Sequence, residues 1–422
     1  MSSTTDHLAR HPTPSRPPAP LERRALELID ESDLVGLTQL LIRQPGQNPP
    51  GQEAATVAAL VGACLDHDLA VRTSTAADGR DNVHATTRAG EGPGLLLLGH
   101  TDVVPIGEGW TVDPIDGVVR DGRIFGRGST DMLGGLAACV IAMSAVQRAA
   151  AETQTALTGP IELAATVDEE EGGLGIRHLM QESHPPYLGC ITAEPTDLQT
   201  IIAARGDCYL DITVHGVAAH SGRPSDGCNA IYGAARIIES LRAWHDELAS
   251  HAHPLAGAAT WSVGQVDGGQ GTAIVPARCR VQADRRLLPG EDPAQVLESV
   301  RQRIATLRLQ NDGLSFEIVM PMSMPGFDTS ATDPFPVAVD AALAESGGPG
   351  LPLGGWTAAC DGGYIACDLG VPTVVLGPGS VNDQAHRPDE SVAIAELLVA
   401  ARTYALTAAR LLGPGNPRPE GD

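Results

Sequence analysis

Residues 95–105 read "LLLLGHTDVVP", and the fold turns on how they are read. Four consecutive leucines carry no amphipathic period. Fenced upstream by "EGPG" (91–94), so short an apolar run fits a strand buried on both faces of a sheet. Such a strand gains no stability from polar residues at its end. Yet His100 and Asp102 stand where it surfaces, which makes them candidates for chemistry.

Outward from this strand the chain alternates. After a Gly-rich stretch comes a helical segment, "DMLGGLAACVIAMSAVQRAAA" (131–151). A strand, "IELAATV" (161–167), leads to "DEEEGG" and a short helix, and a further strand follows at "GCITAEP" (189–195). Strands alternating with helices predict an α/β fold with a mainly parallel sheet between helices. Upstream, "LERRALELIDESDLVGLTQLLIRQ" (21–44) has helical periodicity and is broken by "PGQNPPG".

Near Arg205 the pattern changes. "CYLDITVHGVA", "ATWSVGQVDGG", "RCRVQADRRL" and "LSFEIVM" alternate as half-exposed antiparallel strands do, interleaved with two helical runs at 229–249 and 293–309. The α/β style then returns with "DPFPVAVDAALAE" and "PTVVLGPG". The economical reading is a discontinuous catalytic domain, 21–205 and 321–415, interrupted by an α+β insert over 206–320. A Pro/Ser-rich leader, 1–20, is expected to be disordered.

Composition narrows the function. Length 422 exceeds what one core usually holds. A formal charge of −24 argues against nucleic acid or an anionic membrane as partner. All 28 basic residues are Arg, which excludes a lysine Schiff base, a P-loop lysine and a Ser–Lys pair. The eight cysteines never form C-x-x-C and sit among apolar neighbours, so buried, reduced thiols in a cytoplasmic protein are expected. No signal peptide or membrane span is read in the sequence.

In open α/β sheets, sites form where strands end and loops diverge. Those places hold His100 and Asp102, Asp131, the run Asp168, Glu169 and Glu170, then Glu194 and His386. Each has a bland reading. A strand-end His is often a hydrogen-bonded loop residue, an acidic run suits a helix start, and Asp131 could be an N-cap. Their joint recurrence has none, because converging acids repel unless cations lie between them. Two histidines and three carboxylates, one bridging, would suit two divalent ions about 3.5–4 Å apart.

"GHTDVVP", "GRGSTDMLGG", "TVDEEEGG", "AEPT", "HGVAAHSGRPSDGCNAI" and "LGPGSVNDQAHRPDE" together resemble, in order, the motifs of the M20 family of metallopeptidases and deacylases. The likeness runs from about Leu21 to Leu412, and the last motif is most similar to that of acetylornithine deacetylase, with succinyl-diaminopimelate desuccinylase as the related pattern. The resemblance implies that His100, Asp131 and Glu194 hold one metal, and His386, Asp131 and Glu170 the other. Zn²⁺ is expected, with Co²⁺ or Mn²⁺ accommodated by the same donors. It further implies that Asp102 orients His100 and that Glu169 is the general base for a metal-bridging hydroxide. His220, on a dimerising insert, would reach the partner's site and stabilise an oxyanion. Arg286 would grip a substrate carboxylate. A cis peptide is expected after Asp131.

In the family, Glu at the position of Glu194 accompanies deacylases and Asp accompanies peptidases. Hydrolysis of N-acyl amino acids by a cytoplasmic homodimer is therefore the leading expectation. Two departures stand out: Ala273 replaces a frequent Asn, and Gly363 stands where desuccinylases carry Arg, which disfavours a succinylated substrate. A dipeptidase or carboxypeptidase on the same scaffold is the alternative. A silent binding homologue would need a broken ligand set, and a serine hydrolase would need a G-x-S-x-G elbow that neither "GRGSTDM" nor "GPGSVND" supplies.

Overall fold

The computed structural model describes residues 18–414. Most of the expected leader, 1–20, lies outside the described residues, and a helix is already under way at Pro20. The chain divides into two compact units. One comprises the residues up to Ile202, Thr329–Gly354 and Cys360 onward; the other is Ala203–Asp328 with Gly355–Ala359. The second unit thus starts three residues before the sequence-read insert and carries a short return segment that no composition shift announces.

The main sheet of the first unit contains β1 (Ala70–Ala77), β2 (Arg80–Thr86), β3 (Gly94–His100), β4 (Ile161–Thr166), β5 (Tyr187–Thr192), β6 (Ile201–Ala204, whose last two residues fall in the second unit) and β7 (Thr373–Val375), in the spatial order β1-β2-β4-β3-β5-β7-β6. The four central strands, β4, β3, β5 and β7, run parallel, and antiparallel strands flank them. Strand β3 is the leucine run, and every one of its residues is buried. Its side chains alternate between faces. Leu96 and Leu98 pack with Ile176, Leu179 and Ile365, while Gly99 backs onto Met132 and Leu136. Each leucine buried in this way contributes about 1.5–3 kcal/mol.

The helix Leu133–Glu152 follows Asp131 and is almost wholly buried. It is long and apolar enough to cross a membrane, but 94% of its apolar window is buried within the protein, as in the core helix of a soluble fold. Gly135 lets its first turn approach the end of β5: a Cβ there would lie 2.2 Å from the Ala193 carbonyl oxygen. The helical pattern of 21–44 resolves into two helices, Pro20–Glu27 and Glu31–Ile42. The break is an N-cap, with the Asp30 carboxylate accepting the Asp33 N–H.

The second unit holds a four-stranded antiparallel sheet in the order Thr260–Gly268, Arg278–Leu287, Gly206–His215, Ser315–Met324. Alternate residues such as Leu210, Ile212, Val281 and Ala283 point into a core shared with the helices Ala230–Leu248 and Pro293–Thr306. None of the eight cysteines forms a disulfide. Six are buried as expected; Cys228 is only half-buried, and Cys367 is exposed because it lies on a short helix that turns one side to solvent.

Candidate metal centre

Strand β3 delivers His100 fully buried at its last position. Its Nδ1 lies 2.9 Å from the Asp102 carbonyl oxygen, which makes Nδ1 the donor and turns Nε2 toward carboxylates. Nε2 stands 3.3 Å from Asp131 Oδ1 and 3.5 Å from Glu194 Oε1. The other oxygen of Asp131, Oδ2, is 3.3 Å from His386 Nε2, and Glu170 Oε2 is 3.2 Å from that same nitrogen. His100, Asp131 and Glu194 thus form one group, and Asp131, Glu170 and His386 a second. Within each group the offered ligand atoms lie within 4.8 Å of one another. Asp131 belongs to both.

Asp102 hydrogen-bonds His100. The contact is through the carbonyl, and the carboxylate stays 3.6 Å from Nδ1. The carboxylate instead accepts the N–H groups of Glu169 and Glu170, at 3.2 and 3.1 Å. The physical reason is that those two amides open a turn and have no strand partner, so a buried acceptor is worth more to them than to an imidazole already satisfied by a carbonyl. Glu169 Oε2 lies 4.0 Å from His100 Nε2. The Asp131–Met132 peptide is cis.

Loops are fastened around this cluster by residues the motifs did not single out. The buried Glu390 carboxylate accepts the N–H groups of Thr130 and Asp131 and pairs with the buried Arg127 at 2.5 Å. Arg127 also reaches the Arg387 carbonyl, so it ties the Asp131 and His386 loops together. Asp361 is buried beside the site, with Thr166 donating to its Oδ2 at 2.6 Å. Its signal, a lone acid in "ACDGG", is too weak to find from sequence.

Burial and like charge dominate the electrostatics. Burial, with Glu194 nearby, pushes the Glu169 carboxyl well above its usual range. Burial and Asp131 do the same to Glu194, and Glu170 is raised for the same reasons. Burial also lifts Asp361 to about 7. Asp131 goes the other way: burial would raise it, but hydrogen bonds from His100 and His386 hold it low. Burial would lower His100, yet Glu194 and Asp131 raise it well above the usual imidazole value. His386 is raised to about 10 by its contacts with Asp131 and Glu170.

These are the marks of a site built for cations. Each Nε2 faces acid oxygens, so a proton or a metal must lie between them, and the buried Glu170 Oε1 has no protein partner. The mixed N/O donors fit divalent ions of the zinc type. Without metal, the folded state holds more protons here than the unfolded chain, since the histidines and Glu169, Glu170 and Glu194 are all shifted upward. Their contribution to the stability of the metal-free protein is full only below the ordinary carboxyl value of 4.5, declines above it through the glutamates and above 6.5 through the imidazoles, and keeps falling toward about 10, where His386 deprotonates; Asp131, shifted downward, acts the other way and only at the acid end. Thermal melts of chelator-treated protein should fall across that range, and those of zinc-loaded protein should fall much less. Parallel curves would contradict the site as described.

The two remaining candidates lie in the second unit. His220 is exposed on the short strand Ala219–His220, and its Nδ1 accepts the Gly222 N–H at 3.0 Å. Arg286 is paired across the sheet with Asp207, and its guanidinium contacts Asp207 at 3.1 Å and Asp284 at 3.0 Å. Burial pushes Asp207 up to about 7. A guanidinium fork shared by two acids was not legible in "DRRLLPG".

The family model for peptidase family M20/M25/M40 matches residues 96–410. The chain belongs to that family. An acetylornithine deacetylase of Pasteurella multocida is 33% identical to this M20 chain over 318 residues, covering 73% of the chain and 78% of the relative. One from Edwardsiella ictaluri is 30% identical, covering 82% and 87%. The fold is shared with an M20 metallo-carboxypeptidase of Sulfolobus solfataricus, at TM-score 0.72 and 19% identity over 89% of this chain and 98% of that one. A dinuclear metal-binding M20 peptidase of Bacillus subtilis matches at TM-score 0.68 and 17% identity, over 90% and 98%. The M20 chain is thus a metal-dependent hydrolase of amides with the α/β fold of its family.

Proposed function

We propose that this M20 hydrolase removes the acyl group from N-acyl amino acids in the manner of an acetylornithine deacetylase. The observation that carries the reading is the pair of groups sharing Asp131, with Glu169 beside them and Glu, not Asp, at position 194. His100, Asp131 and Glu194 would hold one divalent ion; His386, Asp131 and Glu170 the other. Two such ions, when bound, polarise the scissile carbonyl and lower the pKa of water near neutrality.

The chain's own residues then manage protons and placement. Glu169, held high by burial, takes the proton of the attacking water and returns it to the leaving amine. Asp102 fixes the turn from which Glu169 and Glu170 project and, through its carbonyl, the tautomer of His100. His220 is assigned to the oxyanion, supplied across a homodimer, and Arg286 to a substrate carboxylate, which must compete with Asp207 and Asp284.

Relatives bearing the deacetylase name support this reading, whereas the Sulfolobus neighbour bears a carboxypeptidase name. Hydrolysis of N-acetyl amino acids should exceed that of dipeptides in kcat/KM by at least about tenfold, a difference of about 1.4 kcal/mol in transition-state binding. Faster dipeptide cleavage would replace the proposal with the peptidase reading.

A further inference from the structure

The turn that presents Glu169 and Glu170 is gripped from outside the motifs by one amide. Asn48 is buried, and its Nδ2 lies 3.0 Å from Asp102 Oδ2 and 2.9 Å from Asp168 Oδ1. Carboxylates only accept, so the atom between them is the nitrogen, and its two hydrogens are both used. Each carboxylate in turn holds the turn from one side. Asp102 accepts the Glu169 and Glu170 amides. Asp168, in a left-handed conformation at φ 68°, accepts Leu174 N–H through Oδ2 and the Gly172 and Gly173 N–H groups through its carbonyl.

The amide itself is anchored. Asn48 N–H donates to the Val103 carbonyl at 2.9 Å, and Val103 N–H donates back to Gly46 at 3.0 Å. Beyond Asp168 stands Arg80, 2.9 Å from its Oδ1 and also paired with the buried Glu53. A continuous series therefore runs Glu53–Arg80–Asp168–Asn48–Asp102 and ends on the backbone of the two glutamates.

We propose that Asn48 is a positioning residue for hydrolysis. By holding Asp102 and Asp168 together with a single amide, it sets where Glu169 and Glu170 project. The kinetic part rests on the roles given to those glutamates under the proposed function; the clamp itself does not. Without the amide, the two acids have no donor between them, since Arg80 reaches only Asp168, and the turn loses its reference to β3. Aspartate at this position adds a third acid and no donor, so it is worse than alanine. Serine keeps one donor, which reaches at most one of the two carboxylates.

The test uses the full-length protein with Asn48→Ala, Asn48→Asp and Asn48→Ser, and Glu169→Gln as control. Amide hydrogen exchange is read in metal-free and zinc-loaded protein, alongside metal content and steady-state kinetics. Expected are faster exchange confined to the segment 168–174, kcat lowered about 10–100-fold with KM little changed, and the order serine, alanine, aspartate of increasing loss. If alanine fails to fold, serine carries the same comparison. Wild-type exchange and kcat in a folded variant overturn the proposal. So does faster exchange spread through the Leu133–Glu152 helix, which would mark a packing role only. Should Glu169→Gln keep full rate, the proposed function falls, and the exchange pattern still judges the clamp.

Discussion

Glu169→Gln should leave metal content unchanged and lower kcat by about 10²–10⁴-fold, the range associated with loss of a general acid–base. The amide has the shape of the carboxyl but cannot take a proton. The backbone N–H that fixes the residue on Asp102 is untouched, so the turn stays in place. The side chain lies 4.0 Å from the His100 nitrogen and is not among the two metal-ligand groups, so loading should persist. Gln also removes one acid from a buried cluster in which Glu194, Asp361 and Glu170 raise Glu169 by like charge, after the larger effect of burial. The metal-free variant should consequently melt no lower than the parent. Metal analysis, melting curves and initial rates on an N-acetyl amino acid read all of this together. A rate near that of the parent would remove Glu169 from the mechanism.

The second large effect is expected at Asp131. Its two oxygens each face a different imidazole, at 3.3 Å, and it is the one residue common to both groups. Asp131→Asn removes the shared negative charge and should lose metal from both positions. Glu194→Gln should weaken only the His100 position, and His386→Ala only the other. Turnover of Asp131→Asn should drop about 10³-fold or more, since the ions supply several kcal/mol of transition-state stabilisation. The fold should survive, because the Asp131 N–H remains held by Glu390. Loss of one metal equivalent only, with the other retained at full affinity, would show that Asp131 does not bridge.

Much of this was legible because the informative residues are discontinuities in pattern. Four leucines ending in His100 announce a buried strand whose end has another purpose, and in the fold that histidine stands beside Asp131 and Glu194. The change from continuous apolar runs to alternation near Arg205 likewise marks the antiparallel sheet of the second unit. Other features left weaker traces. The hairpin β1–β2 escaped because no residue of β1 is fully buried and the strand shows no apolar contrast between its faces. Asn48 lies in "PGQNPPG", which reads only as a helix break; its work depends on Asp102 and Asp168, 54 and 120 residues away. Arg127 and Glu390 are separated by 263 residues, and neither has a local pattern that names its partner. Contacts of this kind are set by how loops meet over the sheet, which composition and periodicity do not encode.

The central claim is that two cations draw His100, Glu194, Glu170 and His386 around Asp131. Anomalous diffraction at the zinc or cobalt edge, from crystals of the loaded full-length protein, tests it most directly. The account predicts two peaks about 3.5–4 Å apart, one in bonding reach of His100, Asp131 and Glu194 and one of His386, Asp131 and Glu170. A single peak, or peaks that leave Asp131 outside bonding distance of either ion, would contradict it.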